Sequence, residues 1–420
     1  MHIFHGWLPK ERLNRGECMI NVAILGYGTV GSGVFKIINE NNSHISRRAG
    51  EEVRIKYVLD LRDFPGDPVE NVLVHDVDVI IEDKEVDVVV EVMGGVEPAH
   101  TFVKRALESG KSVCTSNKEL VAKHGAELLE IASNNNVNFF FEASVGGGIP
   151  IIRPLVECLT VDHIEEIQGI MNGTTNYILT KMEDEGADFD TVLKRAQEKG
   201  YAERNPEADI EGYDACRKIA ILTSLAYERQ VDFEDIYTEG ITKITTDDFK
   251  YMKKIGASIK LLGMARKVDG TTYAMVSPFV IYQDNPLYNV KNVFNAILVK
   301  GDMLGDVMFY GKGAGSLPTA SAVVSDVVDA TKRGGASVKV YWKKEKRVLG
   351  SIDAFTTPYF VRIKGTGIEK DVLAKFGDVQ YIEGDASQDE TAFITPVMSG
   401  SDFEKAAEGF DIISRIRVCD

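Results

Sequence analysis

The run Ile20-Asn21-Val22-Ala23-Ile24-Leu25-Gly26-Tyr27-Gly28-Thr29-Val30-Gly31 sets an apolar segment of strand length directly against glycines spaced GxGxxG. A helical pattern follows through about Asn42. In that context each glycine has a task. The first permits a tight turn, the second lets backbone approach a pyrophosphate, and the third allows close helix–strand packing.

A second strand near Val53 to Leu61 completes a βαβ unit. Its end, Leu59-Asp60-Leu61-Arg62-Asp63, carries both an acid suited to an NAD ribose and an arginine suited to the 2′-phosphate of NADP, so the cofactor is read as NADP or NAD. Val86 to Met93 (VDVVVEVM) is a near-continuous apolar strand interrupted by Asp87 and Glu91, as for a strand buried on both faces. Helix 98–109, strand 112–116, helix 119–134 and strand 137–143 continue the alternation. The fold class is therefore α/β, a Rossmann-type doubly wound parallel sheet.

Composition excludes several classes. With 420 residues, 44% hydrophobic and 27% charged, the chain reads as a soluble globular protein of two or three domains. A formal charge of −16 speaks against nucleic acid or anionic membrane as partner. No apolar run approaches the roughly 20 residues of a membrane span. Cys18, Cys114, Cys158, Cys216 and Cys419 follow neither metal-ligand nor disulfide spacing, which fits a reducing cytoplasm. Cys419, beside the C-terminus, is expected to be exposed. Residues 1–18 lack periodicity and read as a disordered extension.

The densest chemistry lies between Ala196 and Lys218, AQEKGYAERNPEADIEGYDACRK. If a helix begins near Glu211, Asp214 and Lys218 stand one turn apart on one face. The apolar run Ile219 to Leu222 with Leu225 then takes that helix into the core. There a lysine loses hydration and its pKa moves toward the range useful for proton transfer. The order Ala196, Gly200, Tyr201, Ala202, Asn205, Pro206, Asp209, Ile210, Gly212, Asp214, Lys218 resembles the signature of homoserine dehydrogenases.

That resemblance covers Met19 to about Gly334. It implies reversible NAD(P)-dependent interconversion of L-homoserine and L-aspartate 4-semialdehyde. By it, Lys218, Lys118 and Asp214 are catalytic, with Lys218 favoured over Lys118 as the acid–base and Asp214 tuning it. Glu203, Asp209, Gly173 and Tyr201 bind the substrate. Gly26, Gly28, Thr29, Val30 and Gly31 hold the cofactor, with Gly94, Thr115, Ser116, Lys118 and Gly315 toward its nicotinamide end. Thr115-Ser116-Asn117-Lys118 matches the TxNK motif of the family. The resemblance also implies a monovalent cation, typically sodium, held through Glu142 and carbonyls at Val145, Gly147 and Ile149. The residues alone read that stretch as a glycine-rich linker.

The expected organisation is a dinucleotide-binding domain at 19–148, completed by 311–334, and an α+β catalytic and dimerisation domain at 149–310. Within the latter, Asn172-Gly173-Thr174-Thr175 opens a helix suited to holding a carboxylate. The Asp269-Gly270 turn marks a hairpin. After a connector at 335–357, residues 358–420 read βαββαβ and resemble an ACT domain. Gly365-Thr366-Gly367-Ile368 stands where that pattern has a Pro-Gly turn, which argues against threonine feedback. A homodimer or homotetramer is expected. The alternative class is a non-catalytic NAD(P)- and amino-acid-sensing regulatory protein. Aldehyde oxidation through Cys114 and His124 would need a thiol that the strand pattern buries.

Overall fold

The computed structural model describes residues 19–332, 337–384 and 389–419. They form two compact units, one built from residues up to 156 with 314–344, the other from 157–313 with 345–419. Residues 1–18 lie outside the described residues.

The first unit is organised by a six-stranded parallel sheet. Its strands are β1 (Met19–Leu25), β2 (Glu52–Leu59), β3 (Leu73–Val74), β4 (Val86–Glu91), β5 (Ser112–Thr115) and β6 (Phe139–Phe140), in the spatial order β3-β2-β1-β4-β5-β6. Reversal of strand order beside β1 creates the crevice at the carboxyl ends where a dinucleotide binds in such sheets. β1 and β4 lose both faces to helices, so their apolar runs are continuous. Helix Thr29–Glu40 packs on helix Ser316–Lys332 through Gly33, where a β-carbon would come within 2.8 Å of the Ser316 hydroxyl and 3.0 Å of Ala320. The chain thus returns after residue 314 to finish this unit's core.

One strand is shorter than expected. The segment 137–143 pairs only at Phe139–Phe140, and Glu142–Ser144 winds into a 3₁₀ turn. The turn brings the Glu142 carboxylate under the main-chain N–H groups of Ile151, Ile152 and Arg153, at 2.6, 2.8 and 2.8 Å. Satisfying those buried donors outweighs extending the ladder.

The second unit carries a ten-stranded mixed sheet. Its strands are β7 (Ile164–Ile170), β8 (Tyr237–Thr238), β9 (Ala257–Val268), β10 (Thr271–Tyr282), β11 (Phe294–Gly301), β12 (Gly305–Lys312), β13 (Tyr359–Lys364), β14 (Gln380–Ile382), β15 (Glu390–Ile394) and β16 (Ile412–Val418). The order runs β12-β11-β7-β9-β10-β16-β13-β15-β14, with β8 against β10. β9 and β10 pair over their whole length, Val268 opposite Thr271, across a two-residue turn in which Asp269 and Gly270 both have positive φ. That is the I′ geometry that the Asp-Gly pair favours.

The tail forms strand, helix (Glu369–Phe376), two strands, helix (Gly400–Ala407) and strand. Its last strand runs parallel to β10, Phe279 opposite Arg417, so the tail extends the central sheet. This reverses the expectation for Cys419. Its N–H donates to the Val280 carbonyl and the residue is 5% exposed, because the strand it directly follows is paired on both sides.

Lys260 in β9 is 1% exposed and donates to the Val290 carbonyl at 3.0 Å. Burial pushes its pKa down from 10.5 to about 8, only partly countered by Glu183. Between those two values the unfolded chain holds a proton that the folded chain has released, so stability rises with pH through that window. In denaturant titrations, wild type is expected to gain stability relative to Lys260→Met from pH 8 to 10. A constant difference across that range would contradict it.

Candidate active site

In the second unit the active-site geometry starts from a helix cap. Asn172 stands in extended conformation before helix Gly173–Glu185, and its Oδ1 accepts the Thr175 N–H at 2.9 Å. Its Nδ2 is left to donate outward, at 2.7 Å to Asp209 Oδ1 and 2.9 Å to Asp214 Oδ2. One amide group therefore bridges two carboxylates. Gly212, with φ +84°, turns the chain into helix Tyr213–Ala226, and a β-carbon there would meet Val276 at 3.0 Å. Asp214 and Lys218 sit on the first turns of that helix. The Lys218 ammonium donates to Asp214 Oδ2 and to the Met171 carbonyl, each at 2.7 Å. Both side chains are about nine-tenths buried.

Electrostatics separates the two acids. Burial pushes the Asp209 pKa up, the Asn172 bond opposes that, and the neighbouring Asp214 charge adds to it. Lys218 compensates Asp214 directly. An ammonium held between a carboxylate and a carbonyl, beside a second acid that protonates more readily than usual, can pass a proton to or from a bound hydroxyl.

Not every expected substrate residue joins this network. Asp209, Asp214 and Lys218 converge, with Gly173 one residue beyond the bridging asparagine. Tyr201 contributes its main chain, whose carbonyl accepts the Thr174 hydroxyl at 2.6 Å, and its ring lies edge-on to Tyr177. Glu203 stands exposed, and its carbonyl accepts from Gln197. The Thr174 and Thr175 hydroxyls both donate within the chain, so the carboxylate-holding capacity of this helix start rests on main-chain N–H groups. The sequence reading assigned no role to Asn172. An Asn placed immediately before a helix, facing an acid-rich loop, was its signal.

The first unit holds the glycine loop. Gly26 has φ +99° and donates to Leu59 at 2.8 Å. A β-carbon at Gly31 would lie 2.0 Å from the Gly26 carbonyl, while at Gly28 nothing stands within 4 Å, which leaves that side open to a ligand. Helix Thr29–Glu40, which begins Thr29-Val30, has no side-chain cap at Gly28. These are the features that let backbone N–H groups meet a pyrophosphate. At the end of β2, Asp60 accepts the Tyr27 N–H at 2.8 Å and is gripped by Arg62 through Nε and Nη2 at 2.9 and 3.0 Å. That guanidinium holds the Asp60 carboxyl far below the usual carboxylate range. Arg62 also lies over the Phe64 ring and keeps 63% of its side chain exposed.

Gly94 and Gly95, both at positive φ, end β4, and Thr115 and Ser116 end β5. Asn117 caps helix Lys118–Asn134 by accepting the Leu120 N–H, which fixes Lys118 as the first helical residue. Gly315, at φ +121°, precedes helix Ser316–Lys332, whose Ser316 hydroxyl donates to the Thr29 carbonyl.

Two other candidate chemistries do not survive the geometry. Cys114 is completely buried and its thiol is pushed well up, so it cannot serve as an exposed nucleophile. His100, His124 and Glu127 have ligand atoms within 4.8 Å of one another. The two imidazoles stack at 3.9 Å with planes 20° apart, however, and such planes meet only on the order of 10 Å away, so no single ion lies on both in-plane lone pairs. The Glu142 carboxylate is committed to its three N–H donors. Of the expected cation ligands, that leaves the Glu142 carbonyl with those of Val145, Gly147 and Ile149.

Residues 26–142 match the family model described as "Homoserine dehydrogenase, NAD binding domain" and residues 150–328 match "Homoserine dehydrogenase". The chain is 46% identical over 317 residues to homoserine dehydrogenase of Bacillus subtilis (strain 168), covering 74% of this chain and 73% of the relative. The corresponding protein of Neisseria gonorrhoeae is 44% identical over 315 residues, 74% and 72% of the two chains. Among solved structures, a homoserine dehydrogenase from Thiobacillus denitrificans superposes with TM-score 0.88 at 37% identity, over 96% of this chain and 99% of that one. A hyperthermophilic archaeal homoserine dehydrogenase in complex with NADPH gives 0.63 at 31% identity, over 75% and 98%.

Proposed function

Because the chain belongs to the homoserine dehydrogenase family and is an NAD(P)-dependent oxidoreductase, we propose that its buried Asp214–Lys218 pair moves the proton in the interconversion of L-homoserine and L-aspartate 4-semialdehyde. The observation that carries this reading is the single Asn172 amide joining Asp209 to that pair. Oxidation of the alcohol removes a hydride and a proton. A nicotinamide cofactor would supply the hydride acceptor when bound, and the protein must take the proton. Lys218 is held by Asp214 and Met171 in one orientation, so its nitrogen addresses a hydroxyl without first being reorganised. Asp209 lies beside it to receive the substrate ammonium, and the N–H groups opening helix Gly173–Glu185 suit the substrate carboxylate. Tyr201 shapes the same loop, and Glu203, exposed on it, is the second acid assigned to the substrate's ammonium and hydroxyl region. Lys118 is the second lysine, on the cofactor side.

The residues present fit the cofactor. The Gly26–Gly31 loop would hold its pyrophosphate, Gly94, Thr115, Ser116 and Gly315 its nicotinamide end. Arg62, exposed and tied to Asp60, favours a 2′-phosphate. The main-chain carbonyls of Glu142, Val145, Gly147 and Ile149 are what remain for a monovalent cation, and no step of the reaction runs through it. The βαββαβ tail is read as ACT-like, serving packing rather than threonine sensing. We assign self-association as a homodimer or homotetramer to the outer strand β12, a reading supported by the exposure of Met308 and Tyr310. The free thiols of Cys114, Cys158, Cys216 and Cys419 fit a reducing cytoplasm. Among the described residues no helix is long and apolar enough to cross a membrane. A non-catalytic sensor would have no use for a buried acid–lysine pair.

The test is a spectrophotometric assay of homoserine-dependent reduction of NADP⁺ and NAD⁺, with wild type and Arg62→Ala. Wild type turns over. The variant loses about tenfold in kcat/KM with NADP⁺, roughly one charge-assisted contact, and little with NAD⁺. No turnover with either cofactor would remove the proposed function, and an equal loss with both would remove the role of Arg62.

A further inference from the structure

Of the two acids in strand β4, Asp87 and Glu91, it is Glu91 whose side chain is completely buried, at the carboxyl end of the strand. A lone carboxylate there is costly unless donors surround it. Its Oε1 accepts the Met93 N–H at 2.8 Å, and its Oε2 accepts the Thr115 hydroxyl, from the neighbouring strand, at 2.6 Å. The Gly94 N–H and the Asn117 amide also face it. The network continues outward. Thr115 Oγ1 accepts the Asn117 N–H at 2.9 Å, and Asn117 Nδ2 donates to the Gly95 carbonyl at 2.6 Å. Asn117 in turn caps the helix that starts with Lys118.

We infer that Glu91 is a positioning residue for the oxidoreductase reaction, a buried carboxylate that joins the Val92–Gly95 turn to the Thr115–Lys118 loop and so sets the nicotinamide-side edge of the cofactor site. The inference rests on the cofactor reading above and deepens it. Glu91 touches neither substrate nor cofactor in this scheme. Its effect passes through two loops that would otherwise be joined chiefly by Asn117 reaching to Gly95. A group accepting from both loops needs two acceptor atoms and the full length of a glutamate. Glutamine turns one of them into an NH₂ group facing Thr115 Oγ1, which already receives the Asn117 N–H. Aspartate is shorter by one methylene, about 1.5 Å of carbon–carbon reach.

The experiment is steady-state kinetics of the full chain carrying Glu91→Gln or Glu91→Asp, with thermal unfolding of each. Glu91→Gln is expected to raise the cofactor KM and lower kcat, each by about 10-fold, the scale of a sub-ångström misplacement, while the homoserine KM stays within twofold. Glu91→Asp, which keeps both acceptor oxygens but falls short of Thr115 Oγ1, should show the same split. Wild-type constants in Glu91→Gln overturn the inference. So do KM values for cofactor and homoserine that rise together with a falling Tm, the mark of a purely structural group. Should Glu91→Gln not fold, Glu91→Asp decides in the same way. Fluorescence titration with reduced cofactor needs no turnover. It reads Glu91 even if wild type fails to oxidise homoserine, which keeps failure of the cofactor-edge assignment distinct from failure of the proposed reaction.

Discussion

Lys218→Ala is expected to lower kcat by about 10²-fold or more, the usual contribution of a positioned general acid–base, with cofactor affinity within twofold of wild type. The two effects separate because the lysine belongs to the second unit and the Gly26–Gly31 loop to the first. Removing the ammonium takes away the group that donates at 2.7 Å to Asp214 and to the Met171 carbonyl. A nine-tenths buried carboxylate then loses its opposite charge, so some stability is lost as well. Lys218→Arg distinguishes charge from proton transfer. It keeps a cation near Asp214 but offers a guanidinium that does not release a proton in the working range. If the arginine variant restores stability while kcat stays low, the lysine acts as the acid–base. Near-normal turnover in either variant would rule it out.

Asn172→Ala comes second in expected effect, at about 10²-fold in kcat/KM for homoserine, because one side chain performs two tasks. As a helix cap it contributes about 1 kcal/mol. As a bridge its amide donates to Asp209 and Asp214 together. Without it the two carboxylates face each other with less compensation. The Asn172 bond is the chief influence holding the Asp209 pKa down against burial, so its loss moves that pKa further upward. The ionised acid is then present only at higher pH, and the acid limb of the pH–rate profile should shift toward neutrality. Asn172→Asp separates the tasks. It retains an oxygen for capping and adds a third negative charge where a donor is needed. The expected result is a retained helix cap, a Tm lowered by the crowded charges, and kcat/KM as low as in the alanine variant. Wild-type kcat/KM in Asn172→Asp would dismiss the bridge.

The parts of the site legible in sequence were those encoded by local pattern. Gly26, Gly28 and Gly31 lie within six residues of one another, and their conformational demands are local. Asp214 and Lys218 are four apart on a helix, so their pairing follows from helix geometry alone. Strand alternation likewise predicted the parallel sheet, because βαβ units place consecutive strands side by side. What escaped were contacts across long stretches of chain. Glu91 meets Thr115 across 24 residues, and Asn172 meets Asp214 across 42. That the Glu142 carboxylate is taken up by N–H groups nine to eleven residues on, through the turn at 142–144, was likewise not legible. Cys419 looked exposed because it is nearly terminal, yet pairing of the final strand with β10 buries it.

By itself, then, the amino-acid order determined the parallel α/β sheet, the glycine turn at Gly26 to Gly31, the hairpin at Asp269-Gly270 and the helical register of Asp214 with Lys218. Each depends on forces acting within a few residues, namely backbone sterics, alternation of apolar side chains and the 3.6-residue turn. Only the tertiary structure decided that one asparagine amide would span two acids and that the tail would continue the central sheet. It alone brought a buried glutamate between two loops at the end of the parallel sheet. Those outcomes depend on which distant donors and acceptors must satisfy one another once water is excluded, and that condition is met only when the whole chain has folded.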